Sequence, residues 1–225
     1  MTVRETSWTL IDSARDGDQA ARERFAREYE PIVRSYFGAR WRTGTLASEI
    51  DDAVQEVWID CLRERGALER ADPERPFRPF LAGVARTVAL RFEQRRARGE
   101  AVAMEEESHE ARETRVSVAF DRAFARKVMR DASELQRARA AAAGGVKLRR
   151  VELLELRFQD GLTIPQIAAL WSEDAARLHH LYADARADFL EALRDVVRQR
   201  GGPTGGEALE RECEWMLSVL RGAKD

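Results

Sequence analysis

Asp52, Gln55, Glu56 and Asp60 line one side of a short helical segment that opens on Asp51 and whose other side carries Val54, Val57 and Trp58. An acidic and amide stripe beside an apolar anchor suits docking onto a basic partner helix, and it equally describes an ordinary surface helix. Farther along, Phe77, Arg78, Phe80, Arg86, Thr87, Arg91, Arg95 and Arg96 interleave aromatic rings with guanidinium groups. Rings stack on unpaired bases while arginines track phosphates, so this stretch has the chemistry of a nucleic-acid contact. Taken alone, Phe77 and Phe80 read first as core. Chemistry of the catalytic kind has no comparable support. The chain contains no GxSxG, HExxH, P-loop or GxGxxG pattern. Its three histidines are His109 and the neighbours His179 and His180. Adjacent helical residues point about 100° apart, which keeps that pair from sharing a metal easily. No catalytic residue, metal site or cofactor is therefore expected, and the chain is not read as an enzyme.

The elements that position these residues are helices. Of 225 residues, 44% are hydrophobic and only 14 are Gly and 6 Pro, so a chain disordered throughout is excluded and breakers are few. No apolar run is long enough to span a membrane, and the sequence MTVRETSWTL lacks an apolar signal core. Cys61 and Cys213 form no CxxC and no disulfide framework. A soluble, cytoplasmic protein is the expectation. The formal charge of −2, from 38 basic and 40 acidic side chains, argues at first against nucleic acid as a partner. That average hides opposed blocks. Residues 86–98 hold five arginines against Glu93, whereas residues 100–113 hold six glutamates against Arg112. A basic helix end followed at once by an acidic, weakly apolar stretch reads as a domain boundary near residue 99.

Upstream of that boundary, Asp18 is placed to cap a helix whose apolar stripe is Ala21, Phe25, Tyr29, Ile32, Val33 and Tyr36. Pro31 either kinks that helix or starts a new one. A second helix covers 49–65, and a Pro-rich hinge at 72–79 leads into a third from Phe80 through Arg98. Downstream, helices are expected over 120–143 and 147–158. Thr163 and Gln166 then form a capping-box pattern before a short helix, Ile164–Trp171. A Ser172, Glu173, Asp174 turn joins it to a longer helix reaching about Arg198, a helix-turn-helix arrangement without the glycine often found in the turn. A glycine-rich link at 201–206 precedes an amphipathic helix with Leu209, Cys213, Met216, Leu217 and Leu220 on one face.

In this order the motifs resemble those of a bacterial RNA polymerase sigma factor of the extracytoplasmic-function group. The resemblance rests on Gly17, Asp18 and Ala21; on Tyr29 and Pro31; on Asp51, Asp52, Gln55, Glu56, Val57 and Trp58; and on Phe77, Arg78, Phe80, Leu81, Ala85, Arg86 and Thr87. It covers about residues 7–98, and more loosely 120–197 through Leu153, Arg157, Gly161, Thr163, Ile167 and Ala168. It implies an all-α protein: a region 2-like domain at 1–98, a flexible acidic linker at 99–119, a region 4-like helix-turn-helix domain at 120–198, and a link with a C-terminal helix at 199–225. It implies a transcription initiation factor that binds core RNA polymerase through Asp51, Asp52, Gln55, Glu56 and Trp58. Promoter DNA at the −10 element would be opened and held by Arg78, Phe80, Arg86, Thr87, Arg91, Arg95 and Arg96. An anti-sigma factor or other regulator is a further partner of that class, and no membrane is.

Three departures from the family pattern matter. Thr87 stands where the family usually has Asn, which removes a two-sided amide. Phe80 stands for Trp and keeps the stacking face. The stretch expected to contact the −35 element through Arg177, His179, His180 and Arg186 is acidic: residues 172–195 carry three arginines against six carboxylates, including Asp184 and Asp188. Phosphates are repelled by such a field, so −35 recognition is expected to be weak, altered or partner-dependent. The alternative is a sigma-like regulatory module that works through protein contacts after losing autonomous promoter recognition. The apolar face of the terminal helix is expected to pack on the second domain or on a partner.

Overall fold

The computed structural model describes residues 7–42, 45–99, 108–200 and 206–221. They are all-helical, with no strand among them. They fall into two compact units, one formed by the chain up to Arg126 together with the stretch from Arg198 onward, the other by Lys127–Val197.

In the first unit, α1 (Ser7–Arg15) leads into α2 (Gln19–Arg40). The Asp18 carboxylate accepts from the Ala21 N–H at 2.7 Å and so starts α2 as its type predicts. Pro31 sits on the exposed side, and α2 runs through it without a new start. A 3-10 turn at Thr45–Glu49 precedes α3 (Ile50–Leu62), and another at Ala67–Arg70 precedes α4 (Phe77–Gly99). The third helix thus begins three residues before the expected Phe80, inside the Pro-rich stretch. Phe77, in its first turn, is buried and forms the hub of an aromatic cluster. Its ring lies 5.9 Å from Trp8, 6.0 Å from Phe25, 5.2 Å from Tyr29 and 5.4 Å from Phe80. The fully buried Phe25, Tyr29 and Phe77 rings each contribute about 1.5–3 kcal/mol, which holds the start of α4 against α2.

The acidic stretch behaves differently from expectation. Residues 109–119, assigned to the linker, are the first turns of α5 (His109–Ala143). Ser108 caps it by accepting from the Ala111 N–H at 3.2 Å, and Val116, Phe120 and Phe124 are buried. Residues 100–107 of the linker, and 201–205 of the glycine-rich link, lie outside the described residues. The terminal helix α9 (Gly206–Arg221) is also corrected. It belongs to the first unit rather than the second, with Leu209, Cys213 and Met216 buried. Arg200 anchors the returning chain there, donating to the Tyr29 hydroxyl at 3.4 Å and lying over the Tyr29 and Phe124 rings.

The second unit joins the C-terminal part of α5 to α6 (Val146–Phe158), α7 (Ile164–Trp171) and α8 (Ala175–Gln199). Leu153, Ile164, Ile167, Ala168 and Leu178 form one core, with Leu156, Trp171 and Tyr182 against it. The Thr163 N–H and hydroxyl each donate to Gln166 Oε1 at 2.8 Å, fixing the start of α7. Between α7 and α8, Ser172 takes the left-handed conformation (φ 51°, ψ 43°) that a glycine would take. Asp174 then caps α8 by accepting from the Arg177 N–H at 3.0 Å. The helix-turn-helix is built as its spacing predicts, with a serine in the strained position.

Candidate nucleic-acid interface

The acidic face of α3 is only partly what the residue types suggest. Asp52 and Gln55 are exposed, and the exposed Ile59 continues their row one turn on. Asp51 is also exposed but accepts from Arg34 at 2.6 Å, a guanidinium that also holds Glu30 at 2.9 Å. Glu56 is half-buried, 3.7 Å from Arg91. Trp58 meets Phe25 edge-on at 5.7 Å and anchors α3 to α2. The presentable face of α3 is therefore Asp52, Gln55 and Ile59.

The residues of α4 divide between two flanks. Phe80, Gly83, Thr87, Arg91 and Arg98 recur at spacings of three, four, four and seven, forming a stripe along one side. Phe80 is half-buried on Phe77, and the space where a Gly83 Cβ would project holds no atom within 4 Å. The Thr87 hydroxyl donates to the Gly83 carbonyl at 2.9 Å, so its donor is used within the helix while its oxygen remains an acceptor. Arg91 is held on α3 by Asp60, with Glu56 close by. Arg95 lies over the Phe92 ring at 4.3 Å. Arg78, Arg86 and Arg96 occupy the opposite flank. Arg78 donates to Asp121 of α5 at 2.6 Å and lies 4.2 Å from the centre of the Trp215 ring. Arg86 is exposed, and its charge acts on Glu113 of α5. Arg96 follows Arg78 by five helical turns and falls in line with it. The seven residues singled out by type thus do not converge on one surface.

A buried ion network, missed from sequence, fixes both flanks. The Arg40 side chain, 1% exposed, donates to Glu93 of α4 at 2.7 Å and to Glu113 of α5 at 2.6 Å. The Trp41 indole N–H also donates to Glu93, at 3.0 Å. Burial opposes charge on all three ionised groups, but the mutual hydrogen bonds outweigh it. The Arg40 pKa is raised, and those of Glu93 and Glu113 are held below the ordinary carboxylate range. This network clamps α2, α4 and α5 together.

In the second unit, Arg177, His179, His180 and Arg186 are exposed on α8, with Arg186 over the Tyr182 ring at 5.8 Å. The acids that make α8 negative are engaged by cations of preceding helices. Asp188 accepts from Lys147 at 2.6 Å and Arg150 at 3.0 Å, and Asp184 from Arg150. Glu173 pairs with Arg149 at 2.6 Å and Asp195 with Arg139 at 2.5 Å. Burial raises the Asp188 pKa, but Lys147 and Arg150 more than offset it and hold the carboxyl low. The negative field inferred for α8 alone is therefore compensated, and residues 127–197 carry eleven cations against eleven carboxylates. The acids tie α8 to α5 and α6, and the turn before it to α6.

Among the described residues no group of three or more His, Cys, Asp or Glu is arranged to hold a metal, and no helix is long and apolar enough to cross a membrane. Against family models, curated proteins and solved structures alike, the chain has no significant match.

Proposed function

We propose that the chain is a transcription initiation factor that binds core RNA polymerase and directs it to promoters. The observation that supports this most is the pairing, in one helical unit, of an exposed acid-and-amide face on α3 with a stripe on α4 that carries the half-buried Phe80 ring and exposed arginines. Asp52, Gln55 and Ile59 supply the protein-docking face, and Phe80, Thr87, Arg95 and Arg98 the single-strand face, with Arg91 beside them held by Asp60. Phe80 offers a ring for an unpaired base, the open ground at Gly83 admits it closely, and the arginines hold phosphates. The helix-turn-helix of the second unit adds an upstream contact through Arg177, His179, His180 and Arg186. With eleven cations matched by eleven carboxylates, that contact is weak, because little positive field remains to release counterions.

The same neutrality favours a second reading, a regulatory module that binds polymerase but does not select promoters alone. Run-off transcription with purified core polymerase on genomic fragments separates the two. Discrete transcripts that depend on the chain, and fade in Arg95→Ala/Arg98→Ala, support the initiation factor. Co-elution with polymerase without transcripts supports the regulatory module. Neither co-elution nor transcripts refutes both.

A further inference from the structure

α9 lies on the first unit with an acidic composition, Glu207, Glu210, Glu212 and Glu214 against Arg211 and Arg221. Glu207, Glu210 and Glu214 are exposed. The helix meets α4 at Arg78, one of the arginines assigned above to nucleic acid. That guanidinium is engaged twice, by the Asp121 carboxylate at 2.6 Å and by the Trp215 ring at 4.2 Å from its centre. An oxyanion in the guanidinium plane and an aromatic face above it are what a DNA strand offers an arginine through its phosphate and its base. Both positions are filled from within the protein. Glutamates on the same helix add a local negative field of the sign a strand would bring.

We propose that α9, through Trp215, stands in for a nucleic-acid base on the Arg78 flank of α4 and yields that place to a strand. The proposal rests on the reading that the first unit binds nucleic acid. With α9 in place, a strand is confined to the Phe80, Thr87 and Arg98 stripe. With α9 displaced, the face of the Arg78 guanidinium opens to a base, its in-plane donor still held by Asp121 of α5, beside the flank that bears Arg86 and Arg96. The burial of Leu209, Cys213 and Met216 sets how readily the helix leaves. Release exposes those side chains, so affinity is gained only where strand contacts exceed the lost burial. This makes α9 a threshold rather than a permanent cover.

The test is fluorescence anisotropy of a 5′-fluorescein-labelled single-stranded oligothymidylate with the full chain, titrated at several salt concentrations. Trp215→Ala should bind about five- to tenfold more tightly, since aromatic stacking on the guanidinium no longer competes with a base. Its salt dependence should stay that of the wild type, since Asp121 still holds the in-plane donor of Arg78 and no phosphate contact is added. Adding Arg78→Ala to that variant should return the affinity to the wild-type value. The surface pair Glu210→Gln/Glu214→Gln, which removes charge without touching the buried face, should shift affinity in the same direction by a smaller factor. Equal, measurable binding by wild type and all variants would overturn the mimicry and leave the nucleic-acid reading intact. Weaker binding by Trp215→Ala would also overturn it, because Trp215 would then support the strand. Absence of binding by every form would overturn the mimicry together with the reading it rests on.

Discussion

Arg40 is the residue whose replacement should cost the first unit most at neutral pH. Arg40→Met keeps the apolar stem but leaves Glu93 and Glu113 facing each other without their cation, their side chains only 23% and 28% exposed. Breaking a buried pair from one side costs about 3–5 kcal/mol. Because both carboxylates reach water along one edge, the lower end applies, about 3 kcal/mol. For a unit of about 150 residues this lowers Tm by about 6–12 °C. The pH dependence has a definite sign. In the wild type both carboxyl pKa values lie below the ordinary 4.5. Their contribution to stability is thus present above that value and is lost as pH falls through the lowered ones. In Arg40→Met the largest cause that lowers them is gone while burial still raises them, so the deficit is largest near neutrality and shrinks as pH approaches about 4.5. Calorimetric melts at about pH 7.5 and about pH 4.5 read both effects. The triple variant Arg40→Met/Glu93→Gln/Glu113→Gln should recover at least half of the loss, since it leaves no unpaired charge. A deficit below about 1 kcal/mol at neutral pH, or one independent of pH, would refute the reasoning.

Two further substitutions probe the backbone. Ser172→Gly relieves a left-handed residue in the helix-turn-helix and should stabilise the second unit by about 0.5–1 kcal/mol, seen as a higher denaturation midpoint. An unchanged or lower midpoint would show that Ser172 is not strained there. Gly66→Ala should destabilise the first unit by about 1–3 kcal/mol. Its Cβ would lie 2.6 Å from the Cys61 and Arg63 carbonyl oxygens and 2.9 Å from that of Asp60, and backbone oxygens cannot turn aside. Urea melts that leave the midpoint in place would contradict that geometry.

What the sequence made legible was local. The Thr163 and Gln166 cap and the Asp18 cap each close within three residues, so their types announce them. The start of α5 was obscured by the glutamates of 105–107, although Val116, Phe120, Phe124 and Val128 recur every four residues and lead back into the supposed linker. The Arg40 network joins residues 53 and 73 positions apart, and each member alone looks like a solvated charge. The negative balance of α8 was real as a count but misleading as a field, because the window 172–195 omits Arg139, Lys147, Arg149 and Arg150. Arg78 illustrates the same limit at the candidate interface. Its type suits phosphate, yet Asp121 and Trp215, both distant in sequence, already engage it.

The return of the chain to the first unit at Arg198 has a consequence for how the protein is made. That unit is begun before the second and finished after it, since the 71 residues of 127–197 intervene. At roughly 5–20 residues per second of synthesis, its aromatic cluster waits about 4–14 s between the emergence of Arg126 and that of Arg198. During that interval the Tyr29 and Phe124 rings lack Arg200, and the surface destined for Leu209, Cys213 and Met216 is bare. The helix-turn-helix unit, by contrast, is contiguous and can close as soon as α8 leaves the ribosome. On the ribosome, the half of the molecule that starts first is the half most in need of a chaperone.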